Sequence, residues 1–287
     1  MDESQRAPQA ADEDSGDLGW HDYPSGPRHT VVGTIKVSPS LYGPAEGVRR
    51  ELLAYLPPSY DKTNKDYPVL YMHDGQNIFD AATSYSGEWQ VDETMEALSV
   101  DGIEAIVVGI ANSGSGRAVD YSAHVHSVYG GGGADAYVDF LVRQVKPLVD
   151  SAFRTLSDRE HTGLMGSSMG GSVSLYAMLT RPDVFGFTGV MSPAFWWSEG
   201  TIFQLVEATP FVGGRIYMDV GGNENPEIPG RPEEYLNDAI RMYALLQAKG
   251  YTPDDLRLVV EVEGTHHESA WARRLPEALR FLLGPLS

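Results

Sequence analysis

Short apolar runs alternate along the chain with stretches in which apolar residues recur at helical spacing. The runs are "YPVLYMH", "EAIVVGI", "HTGLMG", "FGFTGVMS", "GRIYMDV" and "LRLVVEVEG". Between them lie "EWQVDETMEALS", "ADAYVDFLVRQVKPLV", "SMGGSVSLYAMLTR", a short stretch near Thr201 and "RPEEYLNDAIRMYALLQAK"; "ESAWARRLPEALRFLL" closes the series. In the second of these, Tyr137, Phe140, Leu141, Val145 and Leu148 repeat at the period of a helix. Ahead of the series, "HTVVGTIKVS" and "VRRELLAYLP" read as two extended segments joined by a Gly/Pro loop, an antiparallel start to a sheet.

Strand and helix in alternation predict an α/β fold: a mostly parallel central sheet with antiparallel N-terminal strands and helices on both faces. Such sheets carry ligands on the loops at the carboxyl ends of their strands. The loops after "LYMH", "GLMG", "YMDV" and "VEVEG" are therefore where chemistry is expected. With no internal repeat and no linker, residues 26–287 read as one domain. The acidic "MDESQRAPQAADEDSGD" heads a tail, residues 1–25, expected to be disordered.

Composition removes several function classes. The chain has no cysteine, which excludes disulfides, thiolate metal sites and cysteine nucleophiles. A formal charge of −19 argues against nucleic acid or an anionic membrane as partner, because phosphate contacts need a basic patch. No run of eighteen apolar residues is present to span a bilayer. The N-terminus lacks a basic-then-apolar signal pattern, so a cytoplasmic address is the default expectation.

Gly166-Ser167-Ser168-Met169-Gly170 matches G-x-S-x-G, the strand-to-helix turn that lifts a serine hydroxyl clear of a sheet. Ser168 holds the central place and Ser167 the variable one. A serine nucleophile needs a base, and the base an orienting acid, in the chain order Ser, acid, His. After Ser168 the only histidines are His266 and His267, on the loop after the last strand. Asp219 lies inside the preceding strand, whereas Glu224 and Glu227 sit on its loop "GGNENPE". Glu224 is the expected acid, since a strand-interior carboxylate points into the sheet or its helices. Spacing alone does not separate His266 from His267.

The blocks "YPVLYMHDGQNIFD", "GEWQVDE", "FRTLSDREHTGLMGSSMGG", "SPAFWW", "DVGGNE" and "HHESAWARRLPEALRFL" make the chain, from about Arg49 onward, resemble the esterase D/enterochelin esterase-type branch of the α/β-hydrolases. The resemblance implies Ser168 as nucleophile, His266, five residues before Trp271, as base, and Glu224 as acid. It implies an oxyanion hole from the amides of Met169 and Gln76, with Gly75 giving the backbone room to turn. Trp89 and the run Phe195, Trp196 and Trp197 are expected to wall the substrate. His124, His126 and Asp120 make a weak metal pattern, and "GGGG" at 130–133 reads as a pre-helix turn, so neither a metal nor a cofactor is expected.

The expected function is a serine carboxylester hydrolase acting through an acyl-enzyme on small-molecule esters with short or aromatic acyl groups. Enterochelin-type siderophore lactones, acylated or feruloylated carbohydrates, and acyl transfer through the same triad are the alternatives.

Overall fold

The structure, a computed structural model, describes residues 19–44 and 47–285. Its centre is a nine-stranded sheet built from β1 (His21–Asp22), β2 (Thr34–Val37), β3 (Leu52–Leu56), β4 (Val69–His73), β5 (Ile106–Ile110), β6 (Thr162–Ser167), β7 (Phe187–Met191), β8 (Arg215–Asn223) and β9 (Leu256–Thr265), in the order β1-β2-β3-β5-β4-β6-β7-β8-β9. Pairing is antiparallel from β1 through β3 to β5. From β5 to β9 it is parallel. The expected α/β architecture with antiparallel N-terminal strands is the one observed.

Successive side chains on a strand face opposite ways, and the core divides accordingly. Val69, Tyr71, Ile106, Val108, Ile110, Ile216 and Met218 join one apolar cluster, while Leu70, Met72, Val107 and Tyr217 join the other. The first cluster is closed by α2 (Ala134–Phe140), α3 (Met169–Thr180), α4 (Thr201–Ala208) and α5 (Arg231–Lys249). The second is closed by α1 (Val91–Ser99) and α6 (Glu268–Leu283). Burial on both faces is why these strands read as continuous apolar runs rather than alternating ones. Among the described residues, no helix is long and apolar enough to cross a membrane.

The expected tail ends earlier than residue 25. His21 and Asp22 pair with Val37 and Lys36, and the Trp20 ring meets Phe153 edge-on at 4.7 Å. That indole, packed against the core, anchors a segment whose acidic surroundings suggested none. Residues 1–18 of the expected tail lie outside the described residues.

Candidate active site

Three of the loops expected to hold chemistry end parallel strands at one edge of the sheet, and they converge. Ser168 follows β6 and opens α3 with φ 57° and ψ −124°, a backbone conformation that L-residues adopt only at a cost of about 1–3 kcal/mol. The surroundings hold it there: its amide donates to the Met191 carbonyl at 2.9 Å, and its carbonyl accepts from the Ala194 amide at 3.1 Å. The glycines of the turn are steric requirements. A Cβ on Gly166 would lie 2.8 Å from the Gly170 backbone, and one on Gly170 would lie 3.3 Å from Cβ of His73 in β4.

Glu224, one residue past β8, is fully buried, and its Oε2 lies 2.8 Å from Nδ1 of His266, one residue past β9. Its Oε1 accepts the Gly221 amide at 2.6 Å and the Ser192 hydroxyl at 2.6 Å. The direction of the second bond is forced. Trp271 Nε1 and an Arg274 guanidinium nitrogen reach Ser192 Oγ at 2.9 and 2.8 Å, and both can only donate. The Ser192 proton therefore goes to Glu224. A carboxylate only accepts, so His266 donates from Nδ1 and keeps a lone pair on Nε2. Ser168 and His266 line one cleft of about 300 Å³.

Neither of the rival carboxylates occupies this position. Asp219 is fully buried inside β8, accepts the Ser192 amide at 3.1 Å and pairs with Arg274 Nε at 3.1 Å. Burial raises its pKa to about 6 against the opposing charge of Arg274. Glu227 is exposed. His267 is exposed too, and its Nδ1 accepts the Ser269 amide at 3.2 Å, capping the start of α6.

The Met169 amide is the first N–H of α3, without an intrahelical acceptor and at the positive end of the helix dipole. Gln76 lies on the turn Gly75–Asn77 beyond β4, and its side chain accepts the Asn112 amide at 3.2 Å. A Cβ on Gly75 would fall 2.5 Å from the backbone of Gly109 and Ile110, so only glycine lets this turn sit against β5. Asp74, at φ 55°, begins the turn and takes Arg117 in a two-point contact of 2.7 and 2.8 Å, plus Asn112 Nδ2 at 2.7 Å. Burial works to raise the Asp74 pKa, but the Arg117 charge and these hydrogen bonds outweigh it and leave it lowered. His73 beneath is pushed down to about 4 by burial and is neutral at physiological pH, with Nδ1 2.9 Å from the Tyr137 hydroxyl.

Ser168 and Met169, adjacent in the chain, line two different cavities. The cleft containing Ser168 and His266 is polar, with Asp74, Asn77, Asn112, Arg117 and Glu268 in its wall. The other, of about 320 Å³, is apolar and bounded by Met169, Val173, Tyr176, Tyr121, Phe195 and Trp197. Three of the four expected aromatics divide between them. Trp89 lines the polar cleft, its ring 5.4 Å from that of Trp271. Phe195 and Trp197 line the apolar chamber. Trp196 lines neither; Arg231 lies 3.8 Å over its ring, holding it against α5. Asp120 is tied to Arg50 at 2.7 Å, away from His124 and His126, which face Glu199 at 3.0 and 3.9 Å. Ser192, Arg274 and the Asp74–Arg117 pair were not anticipated, since no local motif marks them.

Ser192→Ala is expected to cost about 1–3 kcal/mol, because it strands the Trp271 and Arg274 donors in a buried site. A lowered urea midpoint at unchanged m-value measures it, and an unchanged midpoint contradicts the proton order above.

A family sequence model described as "Putative esterase" matches residues 45–282. The uncharacterized protein YbbA of Bacillus subtilis (strain 168) is 25% identical over 241 residues, covering 82% of this chain and 93% of its own. The endo-1,4-beta-xylanase/feruloyl esterase of Xylanibacter ruminicola is 27% identical over 245 residues, 84% of this chain but 30% of that longer protein. The siderophore hydrolase EstA of Aspergillus nidulans superposes with a TM-score of 0.68 at 19% identity, over 86% of this chain and 93% of its own. The chain belongs to this esterase family, the carboxylic ester hydrolases of α/β-hydrolase fold that its motifs resemble.

Proposed function

We propose that Ser168, His266 and Glu224 hydrolyse a carboxylic ester through an acyl-enzyme. The observation that carries the reading is the Glu224–His266 pair at 2.8 Å, opening onto the same cleft as a serine held at φ 57°. Nε2 of His266 takes the Ser168 proton as Oγ attacks the ester carbonyl, and Glu224 stabilises the imidazolium. The amides of Met169 and Gln76 receive the negative oxygen. His266 then returns the proton to the departing alcohol, and water repeats the sequence to release the acid. Labelling by a fluorophosphonate tests the reading: modification is expected at Ser168, and an unlabelled Ser168 in active enzyme overturns it.

The same stereochemistry divides the substrate. The leaving oxygen must face His266, so the alcohol lies in the polar cleft and the acyl group turns past Met169 into the apolar chamber. Its ring-lined walls suit an aromatic or medium-length uncharged acyl group. The cleft suits a hydroxylated alcohol. An anionic iron chelate would call for free cations there, and Arg117 is already engaged by Asp74. Leu205→Trp, which fills chamber space from α4, is expected to lower kcat/KM for aromatic-acyl p-nitrophenyl esters roughly 10–100-fold while sparing the acetate. Equal loss on both esters would remove the chamber from the acyl path. Added alcohol acceptors distinguish hydrolysis from acyl transfer by product.

A further inference from the structure

At the start of α1, away from the triad, Glu88, Asp92 and Glu93 each bring a carboxylate oxygen to within 4.8 Å of one another. Asp92 is fully buried: its Oδ2 accepts the Val32 amide at 2.7 Å, but its Oδ1 has no hydrogen-bond partner among the described residues. Oε2 of Glu93 is likewise buried and unpartnered among the described residues. Both oxygens of Glu88 face the Thr30 hydroxyl at 3.0 Å, a single donor for two acceptors. Among the described residues, none of the three pairs with a Lys, Arg or His; the nearby His29 is spent on Asp80 at 2.5 Å.

Buried acceptors without donors repel one another in a medium of low dielectric, so something positive must stand between them. A proton shared by Asp92 and Glu93 relieves one contact and leaves a second charge there, with Glu88 partly exposed beside it. A divalent cation addresses all three. The donors are oxygen only, which selects a hard ion. Oxygens within 4.8 Å of one another are compatible with Ca²⁺, whose oxygen ligands lie at about 2.3–2.6 Å in adaptable geometry, whereas Mg²⁺ demands a near-ideal octahedron. We propose that Glu88, Asp92 and Glu93 form a structural Ca²⁺ site that ties the Thr30–Val32 segment to the start of α1. The consequence reaches the catalytic cleft, because Trp89 lies between two of the ligands and forms part of its wall. Sequence alone pointed to no metal here: the ligands are common surface residues, and their burial is a tertiary property.

The test uses the whole chain, treated with chelator and titrated with CaCl₂ by calorimetry and thermal melting. One Ca²⁺ per chain is expected, with Tm rising by roughly 5–10 °C at a hundredfold excess over Kd. Asp92→Asn and Glu88→Gln are each expected to weaken binding at least about tenfold; if the first variant fails to fold, the more exposed Glu88 still reports. No heat and no Tm shift in the wild type overturns the site. So does Ca²⁺ binding that Glu88→Gln and Asp92→Asn leave unchanged, which would mean adventitious association with other acidic surface. A cation-indifferent wild type that is stabilised by Asp92→Asn also overturns it, in favour of a proton shared by Asp92 and Glu93.

Discussion

Ser168→Ala is expected to lower kcat for p-nitrophenyl acetate by about 10⁴–10⁶-fold and to abolish fluorophosphonate labelling, with little change in Tm. The loss is large because the hydroxyl that forms the covalent intermediate is gone, and a water that the turn does not hold in place must attack instead. Residual turnover over solution, about 10³–10⁴-fold, would come from the amide donors and from binding. The fold should be indifferent because alanine pays the same backbone strain at φ 57° as serine does. The bonds that hold the turn run through the main chain, to Met191 and Ala194. Hydrolysis, labelling and melting of one purified variant decide the matter, and retained hydrolysis would sink the assignment of Ser168.

Glu224→Gln should be nearly as damaging, about 10⁴-fold in kcat, although it changes a single atom. The side chain has two ends with opposite demands. Its Oε1 end receives two donors, the Gly221 amide and the Ser192 hydroxyl, so a glutamine must put its carbonyl oxygen there. Its NH₂ group then faces Nδ1 of His266, 2.8 Å away. The imidazole must accept at Nδ1 and carry its proton on Nε2, the nitrogen needed to take one from Ser168. Reversing the amide does not help, because it sets donor against donor at Gly221 and Ser192. A variant with wild-type Tm and near-wild-type kcat would show that Glu224 does not orient the base. Nδ1 and Nε2 proton resonances of His266, compared in the two proteins, would read the tautomer directly.

Local features were readable from the chain. "GSSMGG" between an apolar run and a striped helix indicated a strained turn, and the contacts across Gly166 and Gly170 are the physical reason those positions are glycine. Glu224 was separable from Asp219 because a residue within a buried strand must face the core, and Asp219 does so, bound to Arg274. The packing of Trp20 is not legible among its acidic neighbours, because its partner Phe153 is far off in sequence. Trp196 was placed with its neighbours, yet a short 3₁₀ turn at Phe195–Ser198 sends it to Arg231 instead of either cavity. The donor chain through Ser192 had no signature, since Ser192 and Arg274 are 82 residues apart and meet only because β7, β8 and α6 pack together.

The sequence by itself determined the alternation of strand and helix, the turn that exposes Ser168, and the order of serine, acid and histidine. The first two depend on residues within a few positions of one another, where backbone sterics and the periodicity of burial act; the third is read from the order of residues along the chain. Tertiary structure alone decided the insertion of β5 between β3 and β4, the proton order around Glu224, and the division of the site into polar and apolar cavities. It also buried Asp92 beside Glu93 with no cationic side chain paired to either among the described residues. These depend on which distant segments become neighbours, and the strength of a charge or hydrogen bond is set by the dielectric and partners that packing supplies.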